Sequence, residues 1–443
     1  MLLSHVPTFF KNRRDRLMQS YPGAAFLIPS APYLIRNGDT HFPDYRQDSN
    51  LLYLTGFPDP ESFLALVPTG SAPGAYKTVM FVQARDPERE MWEGERYGVD
   101  GACKVFGANE AYPIGELEQR LPDLLKSAES VFYRIGVQKD LDVEMLGVFE
   151  KARKAKGRSG KGLMPIADPS EAIGELRLFK SPEEIEILRK SCQLTAHAHR
   201  DIMKSVRPGM NERDVAILIE HSFALGGADR LAYGSIVAGG KNGACLHYHH
   251  NNEKLRDGDL LLIDAGGEFQ YYASDITRTF PIGRKFSQNQ AWVYDLVLQS
   301  QMAAIDAAKP GSCLADIHQI ATEVLVEGFL RLGLLKGKKD EIIQEQKQKR
   351  FYPHNTSHWL GLDVHDTGIY LRNGQSRKLE PGMVFTIEPG FYTQPLDTDA
   401  PEAFKNIGIR IEDDILITAN GCENLTQDAP KKREEIEELR AKA

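Results

Sequence analysis

Missing from this chain is any run of the roughly 20 apolar residues that a membrane-spanning helix requires, so no membrane partner is expected. An excess of basic residues is missing too: 54 Lys and Arg stand against 62 Asp and Glu, a formal charge of −8. Nucleic acid and anionic lipid surfaces select basic proteins, so this balance argues against both as partners. Cysteine is sparse. The five present, Cys103, Cys192, Cys245, Cys313 and Cys422, are odd in number, scattered and never spaced as CxxC. That pattern argues against a disulfide framework or a zinc cluster and predicts reduced, mostly packed thiols. A secretory leader is not expected either. The opening stretch MLLSHVPTFFKNRRDRLMQS breaks its apolar run at Ser4 and His5, and its basic cluster, Lys11, Arg13, Arg14 and Arg16, follows the apolar residues instead of preceding them. These absences predict a cytoplasmic protein.

What is present is length. At 443 residues the chain exceeds what one hydrophobic core usually organises, so two domains are expected. Up to about residue 170 helical and strand patterns alternate, as in a mixed α/β domain. NRRDRLMQSYPGAAFLIPSA reads as helix, turn and strand; NLLYLTGF, SFLALVP, YKTVMFVQ and SVFYRIGV read as strands; IGELEQRLPDLLKSA and LDVEMLGVFEKARKAK have helical spacing. The basic, Gly-containing segment 151–165 reads as a solvated helix end running into a loop, and the boundary is placed near residue 172, giving domains 1–172 and 173–443. From there Ser181-Pro182-Glu183-Glu184 marks a helix start, with an N-cap Ser, Pro in the first turn and acids where the helix dipole favours them. Further helices are expected at NERDVAILIEHSFALGG and NQAWVYDLVLQSQMAAIDAA. Strands are expected at DLLLIDAGGEFQYYASDITRTF, GMVFTIEPGFY and IGIRIEDDILIT. Helices grouped apart from antiparallel strands indicate an α+β domain.

Three of those strands carry acids where apolar residues are expected. The first delivers Asp264 and then Asp275, MVFTIEPG delivers Glu388, and IGIRIEDD delivers Glu412. Burying one unpaired carboxylate is costly enough that it normally neutralises or stays outside, so four converging acids require positive charge. HNTSHWLGLDVHD supplies His354, His358 and His365, and four carboxylates with an imidazole suit two divalent cations such as Mn, Co, Fe or Zn. Each residue has a plainer reading. Asp264 before Ala-Gly-Gly can form a turn, Asp275 can pair with Arg278, and Glu388 can mark a strand end. His354 or His365 can be an ordinary loop or core histidine, and Glu412 can belong to an exposed acidic triplet with Asp413 and Asp414. Along a strand, side chains two apart share a face, so Arg410 is expected beside Glu412, orienting it and holding its pKa down.

The set Asp264, Asp275, His358, Glu388 and Glu412, in the contexts LLIDAGGEFQYYASDITRTFP, SHWLGLDVHD, LEPGMVFTIEPG and GIRIEDD, resembles the pita-bread metallopeptidases of family M24B, and within them the aminopeptidase P (Xaa-Pro aminopeptidase) family. RLFKSPEEIEILRKS, LHYHHNN, TFFKNRRDRL and DYRQDSNLLYLTGF extend the similarity over essentially the whole chain. The resemblance implies an α/β N-terminal domain and a catalytic domain of two α/β halves related by a pseudo-twofold. It implies two metal ions, usually manganese with zinc or cobalt as alternatives: Asp264 on one, His358 and Glu388 on the other, Asp275 and Glu412 bridging. Glu388 is implied as general base and proton shuttle. His247 and His365 are implied to steady the substrate and tetrahedral intermediate, His354 to line the proline side, and Arg410 to stand behind the ligands.

The substrates implied are peptides with proline second, whose tertiary amide lacks the N–H that most peptidases require. Tyr392 and Trp359 are weaker candidates for the proline pocket, and His249 and His250 are expected to face solvent. The N-terminal domain is implied to restrict the groove to one residue before proline and to mediate a homodimer or homotetramer. Trp92 lies in the region whose aromatic reaches a neighbouring subunit in relatives. Prolidase shares the five ligands and is the nearest rival. Creatinase-like relatives need no metals, and metal-free pita-bread binding modules lose several ligands that this chain keeps.

Overall fold

The computed structural model describes residues 7–38, 40–41, 45–70, 72–157, 165–393, 396–397 and 399–442. Part of the basic segment, residues 158–164, and the first six residues of the opening stretch lie outside these. The chain separates into two compact units at Arg177/Leu178. The break expected near 172 falls inside a helix, Ser170–Leu178, and the division comes only at its last turn.

The first unit is built on a six-stranded mixed sheet ordered Glu110–Pro113, Tyr76–Val82, Phe63–Pro68, Ala24–Pro29, Ser130–Phe132 and Ile166–Ala167. Helix Lys139–Ala155 buries Met145, Val148, Phe149 and Ala152, a stripe at helical spacing, in the cluster that holds Ala25, Leu27, Phe63 and Val79. One expectation is overturned: NLLYLTGF is not a strand but helix Ser49–Thr55. Asp48 accepts the Asn50 and Leu51 N–H groups as N-cap, and Gly56, at φ +72°, closes the helix in the left-handed conformation. A short unbroken apolar run has no period to tell strand from helix, so the caps decide.

The second unit repeats one plan twice. Helices Pro182–Ser205 and Glu212–Leu225 precede an antiparallel sheet ordered Ile236–Gly239, Leu260–Asp264, Thr277–Pro281. Helices Gln288–Ala307 and Leu314–Arg331 precede another, ordered Val384–Ile387, Asp413–Thr418, Gly421–Asn424. The helix start read at Ser181 is a full capping box with Glu184. Helix Leu314–Arg331 was not expected from the sequence. It buries Ile317, Ala321, Leu325 and Phe329, and a Cβ at Gly328 would sit 2.2 Å from Leu296 of the neighbouring helix, so glycine sets how closely the two pack. IGIRIEDDILIT is not one strand: Gly408–Arg410 pairs with Gly390–Tyr392, while Asp413–Thr418 pairs with Val384–Ile387, and the chain changes partner at Ile411–Glu412. Among the described residues no helix is long and apolar enough to cross a membrane. All five cysteines are free; Cys192 and Cys313 are buried and Cys245 is exposed.

Candidate active site

Both antiparallel ladders end in acids. Asp264 closes its strand opposite Thr277, with Asp275 just ahead of Thr277 in the chain. In the other half Ile387 and Asp413 form the last pair, and Glu388 and Glu412 are the residues immediately beyond it. The segment carrying His358 lies along the Val384–Ile387 strand. The Thr386 N–H donates to the His358 carbonyl at 2.9 Å, and the Glu388 N–H donates to the Thr356 carbonyl at 2.8 Å. This fastening sets the His358 ring against the acids, with Nε2 3.4 Å from Asp275 Oδ2 and 3.6 Å from Glu388 Oε1. The Trp359 carbonyl, 3.1 Å from Nδ1, takes the proton on that nitrogen and leaves Nε2 available to a metal. Ligand atoms of Asp275, His358 and Glu412 all lie within 4.8 Å of one another.

Two of the plainer readings of the acids do not survive this geometry. Glu412, Asp413 and Asp414 are all buried, so no exposed triplet exists. Arg278 pairs with Asp413 at 2.6 Å rather than with Asp275. Arg410 stands beside Glu412 as expected, its Nε 3.9 Å away, but its hydrogen bonds go elsewhere: Nη2 donates to Asp264 and Nε to Thr277 Oγ1 at 3.0 Å. The change of strand partner after Arg410 turns the guanidinium toward the other half, and Glu412 is held instead by the Thr277 hydroxyl at 2.6 Å.

The charges are poorly balanced by protein alone. Burial raises the Asp264 carboxyl despite Arg410, and burial with the neighbouring Asp275, Glu388 and Asp264 charges drives Glu412 well above the carboxylate range. Burial also lifts Glu388 to about 7, against the pull of His358 and Arg410. Burial alone would depress His358, but the hydrogen bond to Asp275 and the Glu388 charge overcome it and raise the imidazole to about 9. Four carboxylates thus share one guanidinium and the His358 imidazolium, whose proton a metal would displace, and oxygen donors with one imidazole nitrogen match what divalent cations of intermediate hardness take. The residues present fit a metal centre.

A cavity of about 480 Å³ opens on these groups and is lined further by His247, His354 and His365. The His365 ring stands edge-on to His358 with centroids 4.4 Å apart, and burial with the His358 charge lowers its pKa. His354 donates from Nδ1 to the Asn355 carbonyl at 2.7 Å, so its Nε2 accepts the Tyr392 hydroxyl at 2.9 Å. Arg410 in turn donates to that hydroxyl at 3.1 Å. Tyr392 is therefore fully buried behind His354 and does not line the cavity; Trp359 is packed in the core against Phe385 and Tyr370. His249 borders the cavity although exposed, and His250 is exposed and not part of the lining. Trp92, in the first unit, is 87% exposed.

Two site residues escape the sequence reading. The Tyr233 hydroxyl donates to Asp264 at 2.7 Å and also reaches Asp275, a long-range contact that nothing in LAYGS announces. Thr277 was findable, since Asp275, Thr277 and Thr279 alternate and both threonines bond the Arg410–Glu412 segment.

The chain is similar to known proteins over nearly its whole length. The profile of metallopeptidase family M24 matches residues 186–419, and the chain belongs to that family. The profile described as aminopeptidase P, N-terminal domain, matches residues 10–133. The Xaa-Pro aminopeptidase of Escherichia coli K12 is 43% identical over 431 residues, covering 97% of each chain. The structure of Pseudomonas aeruginosa aminopeptidase PepP superposes with a TM-score of 0.93 at 42% identity, covering 99% of both chains. Zinc-substituted E. coli aminopeptidase P in complex with product gives the same TM-score at 43% identity and the same coverage. The repeated plan of helices and sheet is thus the pita-bread architecture that the motifs implied, and the protein is a metallopeptidase.

Proposed function

We propose that this protein is an Xaa-Pro aminopeptidase, releasing the first amino acid from peptides with proline in second position. One observation carries the reading: all five groups of the expected ligand set converge on a single cavity, in a chain 43% identical over nearly its full length to an enzyme of that name. We infer that Asp264, Asp275, His358, Glu388 and Glu412 hold two divalent ions, manganese by preference. When bound, such a pair supplies Lewis acidity that activates water and stabilises an oxyanion.

The chain's own groups divide the remaining work. Glu388, lining the cavity beside His358, takes and returns the proton at its Oε atoms. His247 and His365 face the scissile carbonyl. His354 forms the wall for the proline ring, kept neutral because burial and the Arg410 charge pull it down to about 4. Arg410 fixes Asp264 and, through Tyr392, His354. We assign the N-terminal unit the limit of one residue before proline and the formation of a homodimer or homotetramer, and we place the enzyme in the cytoplasm.

The test is product analysis after metal removal and manganese addition, with an Xaa-Pro dipeptide and an Xaa-Pro-Yaa tripeptide side by side. Release of the first amino acid chiefly from the tripeptide is the expected result. A preference for the dipeptide would move the assignment to prolidase.

A further inference from the structure

The histidine read as facing the scissile carbonyl, His247, sits in a loop that leaves strand Ile236–Gly239 and has little regular structure beyond one short helical turn at Gly240–Ala244. Asn251 fastens its far end to Val237 and Ser235, and a second side chain outside the cavity gathers the rest. Glu212, the first residue of helix Glu212–Leu225, is completely buried, and its carboxylate accepts four hydrogen bonds. Oε1 takes the Gly239 N–H at 2.8 Å and the Asn242 side-chain amide at 2.9 Å. Oε2 takes the Tyr248 hydroxyl at 2.8 Å and the Glu253 N–H at 2.9 Å. Every donor lies on the stretch from Gly239 to Glu253, and Tyr248 is next in chain to His247.

We propose that Glu212 is a positioning residue for substrate: it holds the His247 loop in register with the cavity without touching the reacting atoms. This inference rests on the peptidase reading above. The chemistry of the brace is specific. A carboxylate offers acceptor sites on both oxygens, whereas glutamine has one acceptor oxygen and one donor nitrogen. In either orientation the amide nitrogen of Glu212→Gln faces a backbone N–H, that of Glu253 or that of Gly239. Neither can turn to accept, so one buried bond becomes a clash between donors. An isosteric replacement therefore loosens the loop from behind while every cavity residue stays unchanged.

The experiment uses full-length, manganese-loaded enzyme and a four-way cycle of wild type, E212Q, H247A and the double variant on an Xaa-Pro-Yaa tripeptide. Hydrogen exchange over residues 239–253 is followed in parallel. Expected for E212Q is a loss of roughly tenfold in kcat/KM, carried mainly by KM, with faster exchange confined to the loop. In the H247A background the same substitution is expected to change kcat/KM less than about twofold, because partners in one interaction are not additive. Additive losses, or unchanged exchange in the loop, overturn the inference. If E212Q does not fold, Tyr248→Phe removes one of the four bonds from the loop side and is judged by the same criteria. A wild type silent on the tripeptide sinks the peptidase reading itself, whereas an active wild type with additive variants sinks only the role given to Glu212.

Discussion

Arg410 and Asp264 form a buried ion pair that joins the two halves of the catalytic unit, the guanidinium Nη2 donating to Oδ2. The same side chain also reaches Thr277 and Tyr392. Removing one partner of a buried pair leaves an uncompensated charge, at a cost of roughly 3–5 kcal/mol. Arg410→Ala is expected to weaken metal binding by about 10- to 100-fold in calorimetric titration. Arg410→Lys should rescue little, because an ammonium lacks the planar fork that serves three acceptors at once. Full metal affinity in the lysine variant would refute this account.

His358 supplies the only nitrogen in the ligand cluster. His358→Ala is expected to abolish measurable peptide hydrolysis and to lower the metal content read by elemental analysis. Turnover at the wild-type rate would remove the metal role assigned to this residue.

Glu388→Gln keeps the shape of the side chain but cannot accept a proton. The expected loss is about 10²- to 10⁴-fold in kcat, the usual range for a general acid–base group. A variant in which only KM rises would instead make Glu388 a binding residue.

Burial pulls the His199 imidazole down to about 3, far below the roughly 6.5 of an unfolded chain. Between those values the unfolded state binds a proton that the folded state refuses. Its stabilising effect is therefore complete above pH 6.5 and is lost as pH falls toward 3, with a limiting slope of about 1.4 kcal/mol per pH unit. Urea denaturation of wild type and His199→Gln between pH 7.5 and 4 should show a shallower decline in the variant. Parallel curves would contradict the assignment.

Metal that binds the folded chain and not the unfolded one stabilises by mass action, about 2.7 kcal/mol at a concentration 100 times Kd. Chelator-treated protein is expected to melt at lower temperature and to recover on manganese addition. A Tm indifferent to both treatments would argue against a metal at this cluster.

Much of the site was legible because a carboxylate closing an apolar strand is expensive and so conspicuous: Asp264 and Glu388 advertise themselves at strand ends, as Ser181 does at a helix start. What stayed hidden depends on tertiary geometry. The helix Ser49–Thr55 is too short and too uniformly apolar to show a period, and its identity rests on Asp48 and Gly56. Helix Leu314–Arg331 hides its stripe among small residues such as Gly328. Alternation along a strand correctly brought Arg410 near Glu412, but the change of partner at Ile411 sends its hydrogen bonds to the opposite half. Tyr233 meets Asp264 and Asp275 only once the chain has folded.

The division of the acids between two sheets also makes the cluster depend on the last stretch of chain to be synthesised. A nascent chain that has emerged as far as residue 400 carries Asp264, Asp275, His358 and Glu388, yet lacks both Glu412 and the arginine that braces Asp264. Truncation anywhere before residue 410 therefore removes one acid of the cluster together with the guanidinium that pairs with Asp264, however well the remainder folds.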